Sequence, residues 1–108
     1  MEKLNIMEKM AGKIILLEID GTVNSYTYTD FQNKLYSLID KSPVCIDMSK
    51  VINLSSAGLG VLMTALEAGQ EKGNNLFIMN PSEVVVMAIE STGFSDMFKK
   101  ISSLSEIE

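Results

Sequence analysis

The stretch VCIDMSKVINLSSAGLGVLMTALEAGQEKGNNLFIMN, residues 44–80, decides how this chain is read. It opens on VCIDMS (44–49), an apolar run whose length and composition fit a buried strand. After a loop of small and polar residues comes AGLGVLMTALEAGQEKG (57–73). There Leu59, Leu62, Met63 and Leu66 share one helical face and Gly73 supplies a C-cap. NLFIMN (75–80) reads as a second strand. Strand, helix and strand at these lengths predict a parallel crossover unit.

The same alternation extends both ways. Upstream, KIILLEID (13–20) is nearly continuous in Ile and Leu and fits a strand covered on both faces. GTVNSYTYTD (21–30) is turn-rich. Phe31, Leu35 and Leu38 then recur at helical spacing, with Tyr36 and Ile39 beside them. That helix is expected from Thr29 or Asp30 to about Asp40, ending before Ser42-Pro43. KLNIMEKM (3–10) alternates weakly and reads as an antiparallel edge strand, turned at Ala11-Gly12. Downstream, NPSE (80–83) reads as a helix start, with Asn80 as cap, Pro81 in the first helical position and Glu83 reaching back. Val84, Val85, Ala88 and Ile89 are expected to face inward before a stop near Gly93. FKKIS (98–102) reads as a last short strand, and LSEIE is too short to hold a helix alone. The expected fold class is α/β: one domain over residues 1–108, with a mixed four- to five-stranded sheet and helices mainly on one face.

Composition removes several classes of function. The 108 residues include one cysteine and no histidine. No intramolecular disulfide, ordinary zinc constellation or phosphohistidine can form. The formal charge is −5, and Lys99-Lys100 is the sole adjacent basic pair, which argues against nucleic-acid binding. An acidic chain instead suits a basic protein partner. The longest apolar run, VVVMAI (84–89), is far short of the ~20 residues of a membrane span. The N-terminus has no apolar signal region, so no membrane insertion and a cytoplasmic location are expected. Cys45 reads as inert core, and Met63, Met79 and Met87 as core or near-core.

Little remains that could carry chemistry. Gly58-Leu59-Gly60 begins a dinucleotide fingerprint, but Met63 stands where its third glycine belongs, and there is no phosphate-binding G-x-x-x-x-G-K-[ST]. A serine nucleophile has no histidine base. Asp20, Asp47 and Glu67 fall on different expected elements and form no catalytic pair. No cofactor, metal site or enzymatic activity is expected. What stands out is a hydroxyl at a helix N-terminus. Ser55 or Ser56 can cap the helix, at about 1 kcal/mol. Alternatively, the exposed one of the two is a kinase substrate. Its phosphate would then sit in the favourable field of the helix dipole.

From about Gly12 to Ile101 the chain resembles the STAS domains of the bacterial anti-sigma-factor antagonist family. The resemblance rests on the DMS strand end (Asp47, Ser49), the serine-small-Gly-Leu-Gly turn, the GNN turn (73–75) and TGFSDMF (92–98) closing a late helix. The family motif is Asp-Ser-x-Gly-Leu-Gly with its serine phosphorylated. By register Ser56 takes that serine's place and Ser55 the aspartate's. In the upstream loop GTVN replaces Gly-x-Leu-Asp, with Gly21 matching and Asn24 in place of the acid.

The resemblance implies a partner-switching regulator. Unmodified, it would bind an anti-sigma factor that is also a serine kinase, freeing a sigma factor for transcription. Phosphorylated on Ser56, less readily on Ser55, it would let go until a serine phosphatase resets it. The expected partner-binding patch comprises Gly21, Thr22, Asn24, Ser55, Ser56, Ala57, Gly58, Leu59 and Gly60. Val61, Thr64 and Ala68 are added as the outward face of the helix. A monomer or weak dimer is expected. Two alternatives stand beside this: a non-switching STAS subunit of a larger signalling or transport assembly, and a small-ligand or nucleotide-binding module.

Overall fold

A computed structural model describes residues 3–93 and 95–107. Phe94, within the TGFSDMF segment, lies outside the described residues, as do Met1, Glu2 and Glu108. Strand β1 (Leu4–Ala11) is followed by β2 (Ile14–Val23), α1 (Tyr28–Ile39), β3 (Val44–Leu54), α2 (Ser56–Lys72), β4 (Leu76–Met79), α3 (Glu83–Ser91) and β5 (Lys99–Ile101). Short 3-10 turns cover Ser95–Met97 and Leu104–Glu106. The five strands lie side by side in sequence order. β1 runs antiparallel to β2, and β2 to β5 are mutually parallel. This is the mixed α/β sheet that the alternating pattern predicts.

Period-two alternation decides which face is covered. Ile15, Leu17 and Ile19 of β2, Val44, Ile46 and Met48 of β3, and Leu76 and Ile78 of β4 are buried in one core. Phe31, Leu35 and Ile39 of α1 and Leu62, Ala65 and Leu66 of α2 fill that core from the helix side, and Val85 and Ile89 of α3 join it. The intervening residues form the opposite face, where Leu16, Cys45 and Phe77 stand in register on adjacent strands. The chain end returns toward the hairpin. Ile107 borders a shallow 400 Å³ cavity with Ala11, Gly12, Lys13 and Ile14.

The structure departs from the sequence reading at three places. First, β2 and β3 run past their apolar stretches, to Val23 and Leu54. The ladder from Glu18–Asp47 to Val23–Leu54 carries two register shifts, one between Glu18 and Asp20 and one between Gly21 and Thr22, and it takes the polar GTV segment into the sheet. Second, Asn80 is not the cap of α3. It adopts a left-handed backbone with φ 48°, and Ser82 takes the N-cap position. Ser82 Oγ donates to Val51 O at 2.6 Å and Ser82 N to Met48 O at 3.1 Å, so the start of α3 is fixed to β3. Glu83 thereby becomes the first helical residue and cannot reach back as a capping box requires. Third, Val84 and Met87 point outward, Met87 with 63% of its surface exposed; only Val85 and Ile89 of this helix are fully inward.

Cys45 is fully buried, as the apolar run predicts. Burial, with the Asp47 carboxylate adding to it, pushes the thiol up to about 11. The folded protein therefore holds the proton that an unfolded thiol loses near pH 9. Stability contributed by this group is complete below pH 9 and lost as the pH climbs toward 11. In alkaline titrations followed by denaturant unfolding, wild type should lose stability across that window more steeply than Cys45→Ala. Leu35→Ala, at a fully buried α1 position, should cost about 2–5 kcal/mol in the same assay.

Candidate functional site

Two loops leave the carboxyl ends of neighbouring parallel strands, where open α/β sheets place their sites. One follows β2 and the other follows β3. They are joined directly, because Ser55 N donates to Val23 O at 2.8 Å.

At the second loop the two serines divide the roles between them. Ser55 is the N-cap of α2, with extended backbone (φ −81°, ψ 174°), and its side chain accepts from Gly58 N at 3.4 Å. Its carbonyl accepts the first intrahelical bond, from Leu59 N at 2.9 Å. Ser56 is the first helical residue and is exposed. Among the described residues its hydroxyl has no hydrogen-bond partner. Its own N–H and that of Ala57 lie in the first turn, where no intrahelical acceptor exists. A phosphoryl oxygen on Ser56 would therefore meet free donors at the positive end of the dipole.

The two glycines of the turn do different things. At Gly58 a Cβ would come within 2.5 Å of Val23 Cγ1 and 2.7 Å of Leu54 Cδ1, so only glycine lets α2 settle onto the ends of β2 and β3. At Gly60 a Cβ would meet nothing within 4 Å. Gly60 contributes bare backbone to an exposed row that also holds Ser56, Thr64 and Glu67.

That row replaces the expected outward face. Val61 is only 3% exposed and belongs to the core, and Ala68 is half-buried against it. Helical rotation explains the correction: Val61 stands three residues after the buried Gly58, on the sheet side. Leu59 is half-buried and Ala57 intermediate, which leaves Ser56, Gly60 and Thr64 as the fully presented members of the expected patch on α2.

The first loop is a tight polar knot that buries Thr22 and Asn24 of the expected patch. Asn24 Oδ1 accepts from Tyr26 N at 2.8 Å, from Thr27 N at 3.1 Å and from Thr27 Oγ1 at 3.3 Å. Asn24 N in turn donates to Thr27 Oγ1 at 2.9 Å, and Thr27 Oγ1 also lies 2.8 Å from Thr22 O. Asn24 and Thr22 are both buried. Their role is to stop β2 and start α1, a task for which the carbonyl oxygen of Asn suffices. Gly21 has φ 118°, and a Cβ there would overlap the Lys3 carbonyl, which accepts from Thr22 N. The exposed rim is supplied by Tyr26 at the loop tip and by Ile52 and Asn53 at the end of β3. The sequence reading passed over Tyr26 and Ile52. The signal for Tyr26 was an aromatic in a turn with no apolar partner nearby in the pattern.

No Asp, Glu, Lys or Arg occurs in residues 21–29 or 51–66. Neither segment therefore places a charged group or a base beside the hydroxyl of Ser56. Among the described residues no cluster of potential metal ligands occurs, and no helix is long and apolar enough to cross a membrane.

A family model described as STAS domain matches residues 5–107. Among solved structures, an anti-sigma factor antagonist from Mycobacterium paratuberculosis superposes with a TM-score of 0.84 at 18% identity, covering 96% of this chain and 90% of that one. The anti-sigma factor antagonist SpoIIAA in its unphosphorylated form gives 0.79 at 12% identity, with 95% and 93% covered. The Bacillus SpoIIAA in its phosphorylated form gives 0.75 at 11% identity, with 95% and 96% covered.

The glycine geometry separates two substitutions that look alike in sequence. Gly58→Ala should destabilise by about 1–3 kcal/mol through forced separation of α2 from Val23 and Leu54. Gly60→Ala should be neutral or stabilising by up to about 1 kcal/mol, since helix propensity alone changes. Urea unfolding of the two variants beside wild type measures both.

Proposed function

The chain belongs to the STAS domain family, and from that premise we propose that it is an anti-sigma-factor antagonist switched by phosphorylation of Ser56. The observation that carries this reading is the division of labour at the head of α2. Ser55 is used up as the cap, while Ser56 is exposed, unpartnered and set in a neutral patch. The unmodified protein binds an anti-sigma factor that is itself a serine kinase, through Ser56, Gly60 and Thr64, with Tyr26 on the rim. The solved neighbours named as anti-sigma factor antagonists support this role.

Switching follows from charge. A phosphate brings about −1.5 to −2 at neutral pH. Left in an interface made of bare backbone and small side chains, it is a desolvated charge without a counter-ion. Such a charge costs several kcal/mol, enough to lower affinity by orders of magnitude. The partner's kinase activity thus ends its own complex, and a serine phosphatase restores binding. The protein itself is a substrate and not an enzyme, and it works in the cytoplasm, where sigma factors act.

One observation favours a second reading, a static module that binds without switching. Both Ser55 and Asn24 are neutral where the resembled family carries acids, and a kinase that reads those acids would pass this chain by.

The test joins phosphorylation to stability. Incubated with ATP and a serine kinase of the anti-sigma-factor class, wild type should gain one phosphate by intact mass. Ser56→Ala should gain none and keep wild-type stability within ~0.5 kcal/mol. Ser55→Ala should still be phosphorylated while losing about 1 kcal/mol as its cap is removed. Partner binding that survives phosphorylation unchanged would leave the static module as the function.

A further inference from the structure

The edge strand β1 carries a feature that the switch does not use. Its eight residues pair with β2 in unbroken register, from Leu4–Gly21 to Ala11–Ile14, with no bulge and no proline. Among the described residues no strand lies on its other side. Long regular edges of this kind pair with further strands unless charge, proline or a bulge blocks them. Here the two central charges are drawn back onto the protein itself. Lys9 Nζ lies 2.7 Å from Glu18 Oε1 on β2, and Glu8 Oε1 lies 2.6 Å from Lys34 Nζ on α1. What the edge presents instead is methionine: Met7 is 58% exposed and Met10 68%.

We propose that β1 is a self-association edge, at which two copies of this chain pair antiparallel about a twofold axis at Met7 to form one continuous ten-stranded sheet. The backbone fixes this register. Thr22 N donates to Lys3 O, so Lys3 and Thr22 are a hydrogen-bonded pair with β2. Alternation then turns the peptide groups of residues 5, 7, 9 and 11 toward β2 and those of 4, 6, 8 and 10 outward. The two-residue turn after Ala11–Ile14 agrees, because such hairpins close on a hydrogen-bonded pair.

A symmetric antiparallel partner must match outward residues with outward residues. Paired residue numbers therefore add up to an even number. Only two registers keep nearly the whole strand in use, one centred on residue 7 and one on residue 8. Centring on Glu8 sets that carboxylate against its own copy, which is destabilising. Centring on Met7 sets Leu4 against Met10, Asn5 against Lys9 and Ile6 against Glu8, with no like charges opposed. Met7 then meets its own copy in a non-hydrogen-bonded pair, where side chains approach most closely.

Cysteine cross-linking reads the register directly. The sole native cysteine, Cys45, is buried and will not compete. With oxidised glutathione as the oxidant, Met7→Cys should form a covalent dimer, since its Cα lies about 4.5 Å from its copy. Met10→Cys should not, because six residues at ~3.4 Å each hold the two thiols roughly 20 Å apart. Wild type in sedimentation equilibrium should show a monomer–dimer equilibrium, and Met7→Lys, which opposes two ammonium groups, should be monomeric with an unchanged melting temperature. Both positions are exposed, so folding is not at stake. A wild type that stays monomeric at the highest concentration reached, or Met7→Cys and Met10→Cys cross-linking equally, would overturn the proposal. Neither readout involves Ser56, so failure here leaves the switch to be judged on its own assay.

Discussion

The contact on which the site depends is the close approach of Gly58 to Val23 and Leu54, held by the bond from Ser55 N to Val23 O. It brings the first turn of α2 down onto the ends of two parallel strands. Because that turn cannot rise, its cap is fixed at Ser55 and the following residue is turned outward. The same contact explains why the strands outrun their apolar segments. Val23 and Leu54 are a registered pair at the tip of the β2–β3 ladder, and Gly58 packs on that pair. The polar residues before Val23 are carried into the sheet to reach it.

Much of this was legible in the residues. The apolar runs at 13–20, 44–49 and 75–80 gave three central strands, and the helical spacing at 31–39 and 57–73 gave the two crossovers that join them. The family resemblance added the register of Ser56 against Gly58. The illegible parts share a cause: they were settled by tertiary hydrogen bonds that no local pattern encodes. Asn80-Pro81-Ser82-Glu83 is an excellent local helix start, yet Ser82 finds acceptors on β3, thirty-odd residues away, and the cap shifts by two positions. Val61 is apolar and next to a glycine, which is compatible with an exposed patch until the burial of Gly58 fixes the helix's rotation. Met87 has core-like chemistry, but α3 is nine residues long and two inward positions, Val85 and Ile89, already meet its share of the core.

The two loops at the site have opposite mechanical characters. The loop after β2 is closed on itself by the Asn24–Thr27 bonds. Its tip, Ser25 and Tyr26, is left for contact. The start of α2 is closed beneath, through Ser55 and Gly58, and open above, through Ser56 and Gly60. A rigid base with a small-residue surface lets another protein approach backbone without either side paying to order a loop. It also means that chemistry on Ser56 need not be relayed through a change of fold. A phosphate attached to a fixed, exposed oxygen acts on whatever covers that oxygen.

The neutral residues around Ser56 bear on how long such a mark would persist. An acid in place of Ser55 or Asn24 would oppose the phosphate; two unit charges about 5 Å apart repel by roughly 1 kcal/mol if fully hydrated and by about 3 kcal/mol at an effective dielectric of 20. Here that repulsion is absent, while the helix dipole and the free N–H groups of the first turn still favour the anion. The internal electrostatics of this chain therefore tilt toward the phosphorylated state more than those of a chain with both acids in place. In the proposed switch its unmodified state would then depend on slow transfer from the kinase or prompt removal by the phosphatase. In the proposed switch the equilibrium setting lies with the partner enzymes, and the head of α2 supplies a surface on which a single added group decides whether they remain bound.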